Sequence, residues 1–163
     1  MRFRGEKLRG LRKTNIFIQA GLFLLLWSIP VQACDEVLPT TEITIKGESL
    51  YVELAATPSA RACGLSHRSH LPEDHGMLFV YPSPEPLAFW MKETEIPLSI
   101  AFIDDGGQIL SIQKMVPMQT ETIYRSPGPV RYALEVNQDW FADHGIQVQD
   151  VVEFKLPVVL NIR

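Results

Sequence analysis

Residues 97–116 read PLSIAFIDDGGQILSIQKMV, and this stretch predicts the architecture of everything around it. Pro97 to Ile103 is a short apolar run with β-branched and aromatic side chains at Ile100, Phe102 and Ile103. Such residues favour strands. Asp104-Asp105-Gly106-Gly107 follows, and adjacent Asp and Gly residues tolerate the positive φ that a tight hairpin turn requires. Gln108 to Val116 then returns as a second β-rich run. The segment predicts an antiparallel hairpin.

Working outward, the same grammar recurs. Glu42 to Lys46 alternates polar and apolar residues, Gly47-Glu48 turns the chain, and Ser49 to Leu54 returns, which predicts a second hairpin. Thr57 followed by Pro58 is an N-cap and first-turn signature, and Gly64 offers a stop, so a short helix is expected over 58–64. Gly76 to Tyr81 reads as a buried strand closed by Pro82, Pro84 and Pro86, with a further β segment from Leu87 to Met91. Val130 to Asn137 alternates cleanly, with Tyr132, Leu134 and Val136 on one face and Arg131, Ala133 and Glu135 on the other. That parity suggests a surface ion pair between Arg131 and Glu135. Gln138 to His144 suits one or two helical turns, and Val151–Phe154 and Val158–Ile162 are expected to complete the sheet. Seven to nine short strands at this spacing predict a mainly β protein, a compact β-sandwich or barrel with one or two short helices.

The amino-terminal residues are of a different kind. Arg2, Arg4, Lys7, Arg9, Arg12 and Lys13 precede an apolar run from Ile16 to Ile29, and Val31-Gln32-Ala33 follows Pro30. This is the order of a secretory signal with its cleavage site, so residues 1–33 are expected to direct export. A fourteen-residue helix spans about 21 Å, short of the roughly 30 Å hydrocarbon core that an uncleaved anchor would have to cross. Val31-Gln32-Ala33-Cys34 is also similar to a lipobox, in which Cys34 would be lipidated and would tether the domain to a membrane; Asp35 would then favour the outer face of the inner membrane. The alternatives are a free Cys34 or one bonded to Cys63, which an oxidising envelope permits. Residues 34–41, polar and containing Pro39, read as a leader or tether, and 42–163 as a single β domain.

Whole-chain charge hides this division. The protein has 163 residues, 46% hydrophobic, with 15 basic and 19 acidic side chains and a net charge of −4. The first 33 residues hold six of the basic and one of the acidic ones, leaving nine basic and 18 acidic, or −9, on residues 34–163. So acidic a domain would repel phosphates, and no nucleic-acid partner is expected.

The motifs that announce common chemistries are missing: there is no G-x-S-x-G, H-E-x-x-H, phosphate-cradling G-x-x-x-x-G-K or C-x-x-C. His67, His70 and His75 lie near Glu73 and Asp74, a set that could gather around Zn²⁺ or Cu²⁺. Pro72 breaks any shared helical face, and exposed loop histidines are the expected outcome. Met77 and Met91 sit in apolar runs and are expected to fill the core. Asp104 and Asp105 lack a calcium-ligand ladder and are read as turn residues. No metal and no cofactor is expected.

The stretch richest in candidate chemistry is Phe89-Trp90-Met91-Lys92-Glu93-Thr94-Glu95-Ile96-Pro97-Leu98. Trp90 and Lys92 share strand parity, so an indole and an ammonium would project together, a platform for a sugar ring or an anionic ligand. The competing arrangement buries Trp90 and leaves Lys92 at its rim.

Taken in order, Arg61-x-x-Gly64-Leu65, Arg68, Leu71-Pro72, Gly76-Met77-Leu78-Phe79, Phe89-Trp90-Met91-Lys92, Thr94, Ile96-Pro97-Leu98, Phe102-Ile103-Asp104, Tyr124 and Leu134-Glu135-Val136-Asn137 resemble the bacterial and archaeal family called domain of unknown function 192. The resemblance covers roughly residues 42–155. It implies a compact, jelly-roll-like β domain, often exported, with no established activity. Ser66 stands where that family commonly has Met, Glu93 where Asn is common and Ser99 where Asp is common. Asp139 and Gln149 replace frequent glycines. If the Asn and Asp positions belonged to a site, Glu93 and Ser99 would alter its chemistry.

Three functions follow as expectations. The first is an exported, non-catalytic domain binding a small molecule, a carbohydrate or an anion, through Arg68, Trp90, Lys92, Tyr124 and Glu135. The second is a protein-interaction module tethered through Cys34. The third is an enzyme acting on envelope glycans or small carbonyl compounds, with Glu135 or Asp104 as general base and Lys92 or Arg68 stabilising charge.

Overall fold

The computed structural model describes residues 34, 36–157, 160 and 162–163, so the expected export signal lies outside the described residues. Seven strands and two short helices follow in the order β1 (Thr40–Ile45), β2 (Glu48–Ala55), α1 (Pro58–Cys63), β3 (His75–Phe89), β4 (Leu98–Ile103), β5 (Ile109–Met115), β6 (Tyr124–Asn137), α2 (Trp140–Asp143) and β7 (Val152–Phe154). The residues expected to form a leader contribute Thr40 and Thr41 to β1.

All seven strands belong to one sheet in the order β5-β4-β6-β3-β2-β1-β7. The sheet curls into a half-barrel. At one end its two edges meet: Val152 N–H donates to Gly107 O at 2.9 Å, Ile109 N–H to Asp150 O at 2.9 Å and Gln149 N–H to Ile109 O at 2.8 Å. The mainly β expectation holds, with one curled sheet in place of two stacked ones.

The two predicted hairpins form. β1 pairs antiparallel with β2 across a turn at Lys46 and Gly47, whose φ values of 54° and 87° give the left-handed pair that suits a two-residue hairpin. β4 pairs with β5 across Asp104–Gly107, where the Asp104 carboxylate accepts the Gln108 N–H at 2.9 Å. Asp104 is thus spent on turn chemistry.

Two expectations about strands need correction. The proline cluster does not end β3, which runs on to Phe89 and pairs with the extended start of β6 through Glu85–Val130, Pro86–Pro129 and Phe89–Tyr124, with bulges between. Beyond Val80 this arm has only two strands, so a proline can turn its N–H-less side outward without breaking a ladder. At the carboxyl end, Leu160 and Ile162 lie outside any strand and pack as partly buried side chains on the core; residues 158, 159 and 161 lie outside the described residues.

Apolar side chains cover both faces of the sheet. All seven strands contribute to the cluster that fills the curl, including Ile43, Leu50, Leu78, Ile103, Leu134 and Val152, and α2 adds Trp140 and Phe141. The opposite face carries Met77, Phe79, Leu98, Ile100, Phe102 and Ala133, roofed by Ala60 of α1, Leu65, Leu71 and Met91. Double-sided burial explains why β3 and β4 read as continuous apolar runs while other strands alternate. Met77, Met91 and Met115 are fully buried in this second cluster, consistent with core filling. No helix among the described residues is long and apolar enough to cross a membrane.

Candidate functional site

A carboxyl is buried against the outer cluster. Glu135 lies on the central strand β6, opposite Met77 of β3 and Ile100 of β4. Alternation along β6 therefore sends its side chain to the roofed face, beneath α1 and the segment after β3. It is only 5% exposed, and no hydrogen bond or ion pair reaches its carboxyl among the described residues. Burial pushes its pKa from the ordinary 4.5 up to about 8, with no opposing charge among the causes. At neutral pH the group is chiefly a carboxylic acid.

Glu135 lines a cleft of about 40 Å³. One wall is α1 and the residues after it. Thr57 caps α1, its Oγ1 accepting the Ala60 N–H at 3.2 Å, and Pro58 occupies the first turn. Gly64 stops the helix at φ 52°, where a Cβ would sit 3.3 Å from the Phe79 ring. The chain can therefore pass closely over the sheet and bring Ser66 to the cleft. Phe89, Trp90 and Thr94 form the other wall. Their turn is tied by Thr94 N–H to Met91 O at 3.3 Å and Met118 N–H to Thr94 O at 3.0 Å. The walls are clasped together: His67 N–H donates to Glu93 O at 2.8 Å and Ser66 Oγ to Lys92 O at 3.4 Å. Phe79 packs edge-on against Phe89 with centroids 4.9 Å apart.

Polar groups in the cleft are largely committed. Thr94 Oγ1 donates to Lys92 O at 3.2 Å. The Arg61 guanidinium donates to Ala56 O at 2.7 Å, Val80 O at 2.9 Å and Arg163 O at 2.6 Å, and stacks over Tyr81 at 4.6 Å. Cys63 is bonded to Cys34, with Cα atoms 5.5 Å apart. That is one of the three states the sequence left open for Cys34, and a sulfur so bonded has no thiol to alkylate with lipid.

The five predicted site residues only partly converge. Trp90 and Glu135 line the cleft together, and Lys92 stands at its rim with Nζ 5.6 Å from the Trp90 ring. Trp90 is 54% exposed, so the arrangement that buried it does not form. Arg68 lies in a separate depression with Cys34 and Glu36, its guanidinium held by both carboxylate oxygens of Glu53. Tyr124 is buried in the outer cluster, its hydroxyl accepting the Val116 N–H at 2.9 Å and donating to Gln119 Oε1 at 3.3 Å. The expected Arg131–Glu135 pair is also replaced. Arg131 bonds Asp105 at 2.7 Å and Tyr81 O at 3.2 Å, because the strand face at 131 lies beside the β4–β5 turn while at 135 it is roofed.

Arg61, Gly64, Ser66, Phe89 and Thr94 were not anticipated as site residues. The helix signature at Thr57-Pro58 located α1, but its docking over Glu135 is a tertiary fact. The departures noted in the sequence find backbone reasons. Glu93, Asp139 and Gln149 have φ of 55°, 70° and 80°, which Asn or Gly adopts more readily. Ser99 accepts the Asp139 N–H at 3.2 Å beside α2, and its parity with Ala101 and Ile103 puts it on the sheet face opposite Glu135.

A larger groove of about 510 Å³ follows the β1–β7 edge past Glu42, Thr44, Glu153 and Lys155, but contains no buried polar group. Among the described residues no three His, Cys, Asp or Glu side chains gather as a metal site.

Fold and site define a half-barrel β domain with a small cleft over a buried carboxyl. The chain belongs to the DUF192 family, described as "Uncharacterized ACR", whose model matches residues 41–154. Two solved structures share the fold. A "putative transcription regulator" from Sinorhizobium meliloti 1021 is 37% identical, with a TM-score of 0.68, over 72% of this chain and 96% of that one. A protein of unknown function from Novosphingobium aromaticivorans DSM 12444 is 33% identical, with a TM-score of 0.67, over 77% of this chain and 89% of the other. No curated protein matches the chain.

Proposed function

We propose that this protein is an exported domain that binds a small hydrogen-bonding molecule in the cleft over Glu135, without transforming it. The observation that carries this reading is Glu135 itself, a carboxyl only 5% exposed in the lining of the cleft and without a partner among the described residues. A fully desolvated carboxyl left unsatisfied costs about 1–3 kcal/mol, the upper bound on what a ligand supplying hydrogen bonds to Glu135 recovers. Binding is favoured over catalysis because the hydroxyls of Ser66 and Thr94 are donated to a carbonyl and are not poised against a base. Export is supported by the signal-like order of residues 1–33 and by the Cys34–Cys63 disulfide, a bond that persists in oxidising compartments. The charge of −9 on residues 34–163 argues against carrying over a nucleic-acid role from the Sinorhizobium neighbour.

The test is a ¹⁵N NMR titration of the purified protein with acetate, glycerol and methylammonium. At least one of them is expected to move the Ser66 and Thr94 amides and the Trp90 indole signal saturably, with the response lost in Glu135→Gln. If none moves them, the cleft is not a ligand site.

A further inference from the structure

Resting on that ligand-binding reading, we propose that the cleft selects a small organic cation: an alkylammonium head group inserted against Glu135, with Phe89 and Trp90 beside it. An anion or a sugar oxygen needs donors, and the hydroxyls of the cleft are already given to a backbone carbonyl. Ser66 and Thr94 both donate to Lys92 O, and the Arg61 guanidinium holds three backbone carbonyls. The carboxyl of Glu135 has no such partner: protonated it offers one O–H, and once a cation compensates its burial it becomes a full anion that only accepts.

The apolar part of the lining points the same way. Phe79, Phe89 and Trp90 line the cleft together, and aromatic rings attract cations at their faces. The space of about 40 Å³ is enough for an ammonium or methylammonium group.

The charged and titratable groups on the roof and on β3 are four, while β4 places only Ile100 opposite the carboxyl. They are Arg61 on α1, Tyr81 on β3, and Lys92 and Glu93 in the turn after β3. Tyr81 registers the charge of Glu135, which helps raise its pKa, whereas none of the four is among the causes acting on Glu135. The Lys92 ammonium is placed over the Trp90 ring, outside the lining of the cleft. A bound cation would therefore meet an unneutralised carboxylate.

Cation binding must expel the Glu135 proton, so affinity is tied to pH. Calorimetry and NMR titration with methylammonium chloride, which stays charged throughout, are expected to give binding about tenfold tighter at pH 9 than at pH 7. Sodium acetate and glycerol are expected to leave the Ser66, Thr94 and Trp90 signals in place. Glu135→Gln should abolish the response, and Trp90→Ala should weaken it several-fold. Should Glu135→Gln fail to fold, the wild-type pH profile and Trp90→Ala decide. Methylammonium binding that ignores pH overturns the proposal. If acetate or glycerol binds at these residues and methylammonium does not, the cation class is wrong and ligand binding stands. If none of the three binds, both readings fall.

Discussion

At the scale of single residues, Glu135 sets the chemistry of the cleft and also makes the fold sensitive to pH. Its carboxyl titrates at about 8 in the folded chain against an ordinary 4.5, because burial penalises the charged form. Between those values the folded state holds a proton that the unfolded state has released, so stability declines as pH rises. The stabilisation is complete below about pH 4.5, lost progressively up to about pH 8, and constant above. The whole shift corresponds to at most about 5 kcal/mol. Urea melts at pH 5 and pH 8 are expected to show a drop of several kcal/mol at the higher pH. Glu135→Gln, which keeps the shape and removes the titration, should flatten most of that difference. A wild type whose Glu135-dependent stability rises with pH would mean that the carboxyl is ionised and compensated in the fold.

Among the elements, α1 is the one on which the cleft depends, and its end is fastened by the Cys34–Cys63 bond across 29 positions of sequence. Closing a loop of that length in the unfolded chain removes conformational freedom worth about 3–4 kcal/mol. Cys34→Ser with Cys63→Ser is expected to lower unfolding free energy by about that amount in denaturant titrations, and to speed amide exchange in α1 more than in β4. The residues at the ends of α1 were legible in sequence, since Thr57, Pro58 and Gly64 act through local hydrogen bonds and backbone preference. The turn at Asp104–Gly107 was legible for the same reason, while the first hairpin's turn, read at Gly47-Glu48, forms one residue earlier at Lys46–Gly47. What α1 covers was not, because parity along β6 assigned Glu135 to a face without saying that Ala60, Leu65 and Met91 would roof it. A proline run is likewise a local stop signal, and it misled at β3 because only the arm's lack of outer neighbours makes Pro82, Pro84 and Pro86 tolerable. The parallel pairing of β2 with β3 is another non-local outcome. It follows once α1 carries the chain back across the sheet, as a parallel connection requires.

Across the whole molecule, the curl of the sheet depends on a few bonds at one end, and Gly107 is at their centre. Its O accepts the Val152 N–H, joining the turn before β5 to β7 and so one edge of the sheet to the other. Its φ is 87°, and a Cβ there would lie 2.8 Å from Val152 O, a backbone atom that cannot swing aside. Gly107→Ala therefore incurs left-handed strain and a backbone clash together, expected to cost about 2–3 kcal/mol in unfolding free energy. The effect should be directional. Exchange of the Ile109 and Val152 amides should accelerate as the edges part, while β3, β4 and β6 keep their protection, since their pairing does not pass through Gly107. The cleft lies over β3 and β6, so the Trp90 and Ser66 signals should stay where they are in Gly107→Ala. Uniform loss of protection across all strands would mean that closure and central sheet form one cooperative unit, and that the cleft cannot be separated from the barrel end.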